Sequence, residues 1–225
     1  MAAPYSLNIN ASLTPEQQAA LEDQALVSAL QRADADAYET LLRRFQTPVY
    51  NLAWRLLENP ADAGDVVQEV FLKVFRNVGS FRGDSSLRTW VYRIAVNESH
   101  NRRRWLFRHR KGETAIEDLY SADDRREPSL VDSGETPFDF TMNHEAQLLL
   151  EEGLAAISPA FRAALVLREI EDLSYDEIAH VLDVSIGTVK SRIVRGREAL
   201  RCYLATRLNP ASSLQLVPAP VKWES

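Results

Sequence analysis

Cysteine occurs once in the 225 residues, at Cys202. A single thiol closes no internal disulfide and cannot build a cysteine-rich zinc site. Histidine is almost as sparse. His100, His109, His144 and His180 never fall at metal-ligand spacing on one helix, so the sequence predicts no metal and no cofactor. Long apolar runs are missing as well. The stretch 163–167 is far too short to cross a bilayer, and no basic segment precedes an apolar run near residue 1. The expectation is a cytoplasmic chain with no membrane insertion. Glycine is limited to eight residues while Ala, Leu, Arg and Glu are plentiful, which favours helix over sheet. A Walker loop, a Gly-x-Ser-x-Gly elbow, a His-Glu-x-x-His pair and dinucleotide-binding glycines are all missing. The reading is therefore that the chain is not an enzyme.

What is present is helical periodicity. Thr14-Pro15-Glu16-Gln17 reads as a helix start, with Thr14 as cap and Gln17 returning to it. Leu21, Leu26 and Leu30 continue that helix. A second is expected over 34–57, with Tyr38, Leu41, Leu42, Phe45, Val49, Tyr50, Ala53 and Trp54 on its apolar side. Asn59-Pro60 stops it and starts a third, whose stripe is Val66, Val67, Val70, Phe71, Val74 and Phe75. A loop over 79–86 leads to a fourth helix over 87–110, with Trp90, Val91, Ile94 and Ala95 inward.

Residues 112–143 break this pattern. Nine acids there stand against only Arg125 and Arg126, interspersed with glycine and proline, which reads as a flexible acidic linker. Helices resume over 144–156 and 159–171, the latter with Ser158 as cap. Ser174-Tyr175-Asp176-Glu177 is a capping box opening a short helix to Leu182. Asp183-Val184-Ser185 reads as a turn before a longer helix over 186–208. The predicted fold class is all-α, with two helical domains joined by the linker. Their bounds are a tail 1–13, a domain 14–111, the linker 112–143, a domain 144–208 and a tail 209–225.

The formal net charge is −6, but the charges are segregated. On the helix after the turn, Lys190, Arg192, Arg195, Arg197, Arg201 and Arg207 face only Glu198. Small and apolar residues at Ile178, Ala179, Leu182, Val184, Val189 and Ile193 suit two helices locked at a steep angle, a helix-turn-helix. Val189, Ile193, Leu200 and Leu204 form its buried side, while Thr188, Ser191, Arg192 and Arg195 point away, with Lys190 on the flank. Such a helix fits the DNA major groove, its first turns on base edges and its later arginines on phosphate. An ordinary solvated helix face is the plainer alternative.

A second basic track spans 88–111, where eight cations meet the single acid Glu98. Phe81, Trp90, Tyr92, Trp105 and Phe107 are interleaved, and Asn97 and Asn101 add amide groups one turn apart. Charge for phosphate and flat faces for unstacked bases are what single-stranded nucleic acid requires; Trp90 also reads as a core residue. A third segment, Asp62-Ala63-Gly64-Asp65-Val66-Val67-Gln68-Glu69, sets Asp62, Asp65 and Glu69 on one helical face with Gln68 beside them. That face is either solvated or matched to a basic protein partner.

These three segments, in this order, resemble the extracytoplasmic-function sigma factors of the sigma-70 family, particularly the sigma-E-like group. Residues 62–72 resemble region 2.2, residues 81–97 regions 2.3 and 2.4, and residues 173–179 with 187–200 region 4.2. The resemblance implies that Asp62, Asp65, Gln68 and Glu69 dock on the clamp helices of the largest subunit of core RNA polymerase. It implies that Phe81, Arg82, Ser85, Ser86, Leu87, Arg88, Trp90, Arg93, Asn97 and Asn101 read the −10 element of promoter DNA and capture a flipped base. It assigns the −35 element to Thr188, Lys190, Ser191, Arg192, Val194 and Arg195, and threads the linker toward the RNA exit path. An anti-sigma factor that blocks these faces, and a monomer in the free state, are further expectations of the family. Two departures stand out: Gly64 where an acid is usual, and Gly196 where alanine is usual, each costing a helix about 1 kcal/mol relative to alanine. The runner-up is a helix-turn-helix regulator whose N-terminal part dimerises or senses; an enzyme or helical scaffold is the third reading.

Overall fold

A computed structural model describes residues 14–112 and 137–208; both expected tails and linker residues 113–136 lie outside the described residues. Among the described residues, eight α-helices follow in order: α1 Pro15–Gln31, α2 Ala35–Leu57, α3 Pro60–Asn77, α4 Leu87–Gly112, α5 Pro137–Ala156, α6 Pro159–Glu169, α7 Tyr175–Leu182 and α8 Ile186–Leu208. A 3₁₀ turn over Val78–Ser80 follows α3. There is no strand among the described residues. α5 begins seven residues earlier than the linker reading allowed, with Pro137 in the first helical position, where its fixed φ is already suited to a helix.

In the first domain, α2, α3 and α4 bury one face each. Leu41, Val49, Leu52 and Ala53 of α2 meet Val66, Val70 and Val74 of α3 and Val91 and Ala95 of α4. The reason is the spacing: apolar residues recur at three and four positions, and each buried side chain is worth about 1.5–3 kcal/mol. α1 adds Val27 and Leu30 but leaves Leu21 51% exposed, because it touches the bundle only along its C-terminal half. The capping box at Thr14 is formed, and Asn59 caps α3 by accepting from the Asp62 amide at 3.0 Å.

The second domain is centred on α6, whose residues 163–167 are all buried. Leu154 and Ile157 close one side, and Ile178, Val181, Val189 and Ile193 the other. Ser158 sits at the N-cap of α6 but makes no side-chain cap bond, contrary to expectation. Gly196 also has a packing reason. A Cβ there would stand 3.2 Å from the Phe161 carbonyl oxygen, so the missing side chain lets α8 lie close on α6. Gly64 has none, since a Cβ would meet nothing within 4 Å.

The two domains touch. α4 packs on α7, and α2 packs on α5 and α6. This seam bears directly on the candidate site.

Candidate functional site

The turn between α7 and α8 is held from both ends. Ser174 and Glu177 form the capping box that starts α7. Asp183 ends it in the left-handed region at φ 53°. The Ser185 hydroxyl then accepts from the Thr188 amide at 3.2 Å to start α8. Ile178, Val181, Val189 and Ile193 are buried between the two helices, so the remaining faces of α8 are turned outward. Lys190, Ser191, Val194 and Arg195 are exposed there, with Thr188 and Arg192 half-buried. Val194 is 64% exposed, an apolar group that suits a thymine methyl in the major groove. Later cations on α8 are engaged: Arg197 pairs with Glu169 at 2.6 Å, Arg201 with Glu198 at 2.7 Å and Arg207 with Glu152 at 3.3 Å. Lys190, Arg192 and Arg195 show no acidic partner among the described residues, which keeps the first turns of α8 electropositive.

The α4 track has three faces. Its first face is inward: Leu87 is 1% exposed, so that side chain belongs to the core rather than to an offered surface. Phe81 and Trp90 pack on each other at 5.1 Å between ring centroids, and Gln31 anchors the loop by donating to the Val78 and Phe81 carbonyls at 3.2 and 3.3 Å. Ser86 caps α4 through the Thr89 amide at 3.1 Å, and Ser85 is half-buried beside exposed Arg82. The second face is open. Arg93, Asn97, Asn101, Arg104 and Arg108 are exposed at helical spacing, and Asn101 accepts from Arg104 at 2.7 Å. Trp105 and Phe107 are 44% and 63% exposed beside them. Burial, and then the cations Arg104, Arg103 and Arg192, hold the His100 imidazole below its usual pKa, keeping it neutral within this basic surround.

The third face of α4 meets α3. Arg102 donates through Nε to Asp62 at 2.7 Å and through Nη2 to Asp65 at 2.8 Å. Asp62 is only 7% exposed, so of the four expected acidic-face residues it is a buried ion-pair partner, while Asp65 and Gln68 are exposed and Glu69 is half-buried. Lys73 lies 2.7 Å from Glu98 and 4.0 Å from Glu69. Between α3 and α4 opens a groove of ≈ 1300 Å³, lined by Asp65, Gln68, Glu69 and Leu72 on one wall and by residues 100–105 with Phe107 and Arg108 on the other. The acids and the basic track therefore share one concave surface.

Sequence reasoning missed the residues at the domain seam. Tyr92 donates to Glu171 at 2.6 Å, Arg88 donates to the Glu171 carbonyl at 2.5 Å, and Thr89 donates to Glu177 at 3.2 Å. Arg88 was expected to face DNA; here it is turned to the second domain. Burial and the bond to Glu171 push the Tyr92 hydroxyl up to about 12. Burial alone would raise the Glu177 carboxyl, but bonds from Ser174 and Thr89 and the charge of Arg88 hold it below its usual range. For Arg88, burial works to lower the pKa, but Tyr92 and the carboxylates of Glu171 and Glu177 raise it overall.

Comparison with known proteins matches this arrangement. Residues 41–111 match the family model for Sigma-70 region 2 and residues 147–200 that for Sigma-70 region 4. The chain is 36% identical to the ECF RNA polymerase sigma-E factor of Escherichia coli over 80% of its own length and 93% of that protein. It is also 36% identical to the RNA polymerase sigma-H factor of Pseudomonas aeruginosa over 88% of its length and all of that protein. Among solved structures, the sigma factor RpoE of Bartonella quintana, in complex with the anti-sigma factor NepR, shares the fold with a TM-score of 0.55 at 24% identity, covering 74% of this chain and 96% of that one. Two sigma domains in order, on the helices that carry the two basic tracks, place the chain in the sigma-70 family as an extracytoplasmic-function sigma factor.

Proposed function

We propose that this sigma factor divides promoter recognition between its domains, with α3 and α4 serving core RNA polymerase and the −10 element and α8 serving the −35 element. As a sigma factor it works with core RNA polymerase in promoter recognition and transcription initiation. The observation that supports the division is the pair of outward basic surfaces on separate domains, one interleaved with exposed Trp105 and Phe107 and the other on a recognition-type helix. In this reading Thr188, Lys190, Ser191, Arg192, Val194 and Arg195 enter the major groove, where polar groups read base edges and arginines reach phosphate. Arg82, Arg93, Asn97 and Asn101 track the opened non-template strand, and the Phe81–Trp90 pair and nearby loop hold an extruded base. Stacking of about 1–3 kcal/mol per base offsets unstacking costs of the same order. Asp65, Gln68 and Glu69 dock on the clamp helices of the polymerase, and Asp62 fixes Arg102 beneath them.

An anti-sigma factor is the natural second partner, since a protein that fills the α3–α4 groove would cover both the polymerase and the −10 surfaces. The protein then acts as a monomer in the cytoplasm beside its polymerase, without chemistry of its own. Two variants test the division. Arg195→Ala should lose −35-dependent transcription while polymerase binding persists, and Asp65→Ala should weaken polymerase binding first. Equal loss of both properties in both variants would contradict it.

A further inference from the structure

α8 lies on α6 with a glycine at the contact. Gly196 is buried, and a Cβ on it would stand 3.2 Å from the Phe161 carbonyl oxygen and 3.6 Å from the Phe161 Cβ. Its neighbours Arg195 and Arg197 leave the helix about 100° to either side of it, and α6 meets them differently. Arg197 finds a carboxylate: it donates to Glu169 at 2.6 Å. Arg195 finds a ring: its guanidinium carbon lies 5.9 Å from the centroid of Phe161. Phe161 is half-buried and packs against the core, which limits how far the ring can turn. Arg195 itself is exposed.

The two partners have opposite consequences for DNA contact. A carboxylate cancels the charge of a guanidinium and takes up its N–H donors. An aromatic face attracts the cation through the ring quadrupole but carries no net charge. Arg195 therefore keeps its charge and its donors for a base edge or a phosphate, while its long side chain is confined. A freely rotating arginine gives up rotamer freedom when it binds, and one that is already held gives up less. Simple packing of Phe161 in the core would need its volume and shape only; holding a cation needs its π electrons.

We propose that Phe161 is a positioning residue for promoter recognition: its ring holds the Arg195 guanidinium, without neutralising it, where α8 contacts the −35 duplex. Gly196 serves the same end, since it lets α8 approach α6 closely enough for the ring to lie against Arg195. The proposal rests on the −35 role of Arg195 given above. A cation over an exposed aromatic face corresponds to a factor of about two to five in affinity.

The test uses the full chain bound to core polymerase. The probes are a duplex promoter fragment recovered by run-off selection and the same fragment with its upstream element scrambled. The ratio of the two affinities reports on −35 recognition. Singly, doubly and triply fluorinated phenylalanine at position 161 keeps the ring in place while draining its face of negative potential. The ratio should fall stepwise along that series, by about two- to fivefold at its end. Phe161→Leu should fall as far, and Phe161→Tyr should stay near the parent. In an Arg195→Ala background the ratio should be low from the start and unmoved by fluorination. A ratio that ignores fluorination while Arg195→Ala abolishes it would overturn the role of Phe161 and leave the −35 role of Arg195 standing. An equal fall in both backgrounds would show that Phe161 acts through packing alone, and would overturn the proposal too. If Arg195→Ala keeps the parent ratio, the −35 role of Arg195 fails first, and the role of Phe161 falls with it.

Discussion

Arg102 ties the acidic helix to the basic one, and its removal has a calculable cost. Its Nε and Nη2 donate to Asp62 and Asp65 at 2.7 and 2.8 Å, and its guanidinium lies 5.2 Å from the Trp105 ring centroid. Arg102→Met keeps the stem against that ring and removes the charge. Asp62, whose side chain is 10% exposed, then keeps a carboxylate away from water with no cation beside it. Hydrogen bonds to a charged group contribute about 1.5–3 kcal/mol. Asp65, 58% exposed, adds only about 0.5 kcal/mol because solvent screens it. The expected loss is about 2–3 kcal/mol, or a fall in Tm of about 4–12 °C for a chain of this size. Urea unfolding followed by helical circular dichroism measures it. Asp62→Asn in the same background should recover about 1 kcal/mol, since it removes the orphaned charge. A variant within about 0.5 kcal/mol of the parent would show that Arg102 and Asp62 make only a solvated surface contact.

Two further expectations follow from single positions. Gly64→Ala should raise stability by about 1 kcal/mol in the same urea assay, because its Cβ enters open space and the helix loses a glycine; a loss of stability would contradict that. His100 carries a depressed pKa, so the unfolded chain takes up a proton near 6.5 while the folded one does not. The corresponding stability is present above pH 6.5 and lost as pH falls below it, and His100→Gln should flatten the stability profile between pH 5 and 7; an unchanged slope would show that His100 is not responsible.

The sequence reveals local structure better than partnership. Thr14, Ser174 and Ser185 announce helix starts because capping is decided within three residues, and all three form the expected bonds. The stripe from Val66 to Val74 is buried because periodicity follows directly from helix geometry. The outward position of Lys190, Ser191 and Arg195 follows from the same rule. What was not legible depends on contacts distant in sequence. Asp62 reads as one acid of a surface face, and only Arg102, forty residues away, explains why it is buried. Glu171 looks like the end of a helix, yet its partners lie on α4. Arg88 reads as a DNA contact from composition, whereas the fold turns it to Glu171. Leu21 fits the helical spacing but stays 51% exposed, since pattern alone does not say where a helix leaves the bundle.

The most direct test is run-off transcription with purified core polymerase, this protein and a library of promoter fragments. The sigma-factor account predicts initiation that depends on the protein and selects fragments sharing two elements at fixed spacing, with Arg195→Ala losing preference at the upstream element alone. Tight, sequence-specific DNA binding without polymerase, and no initiation with it, would contradict that account and favour a helix-turn-helix regulator.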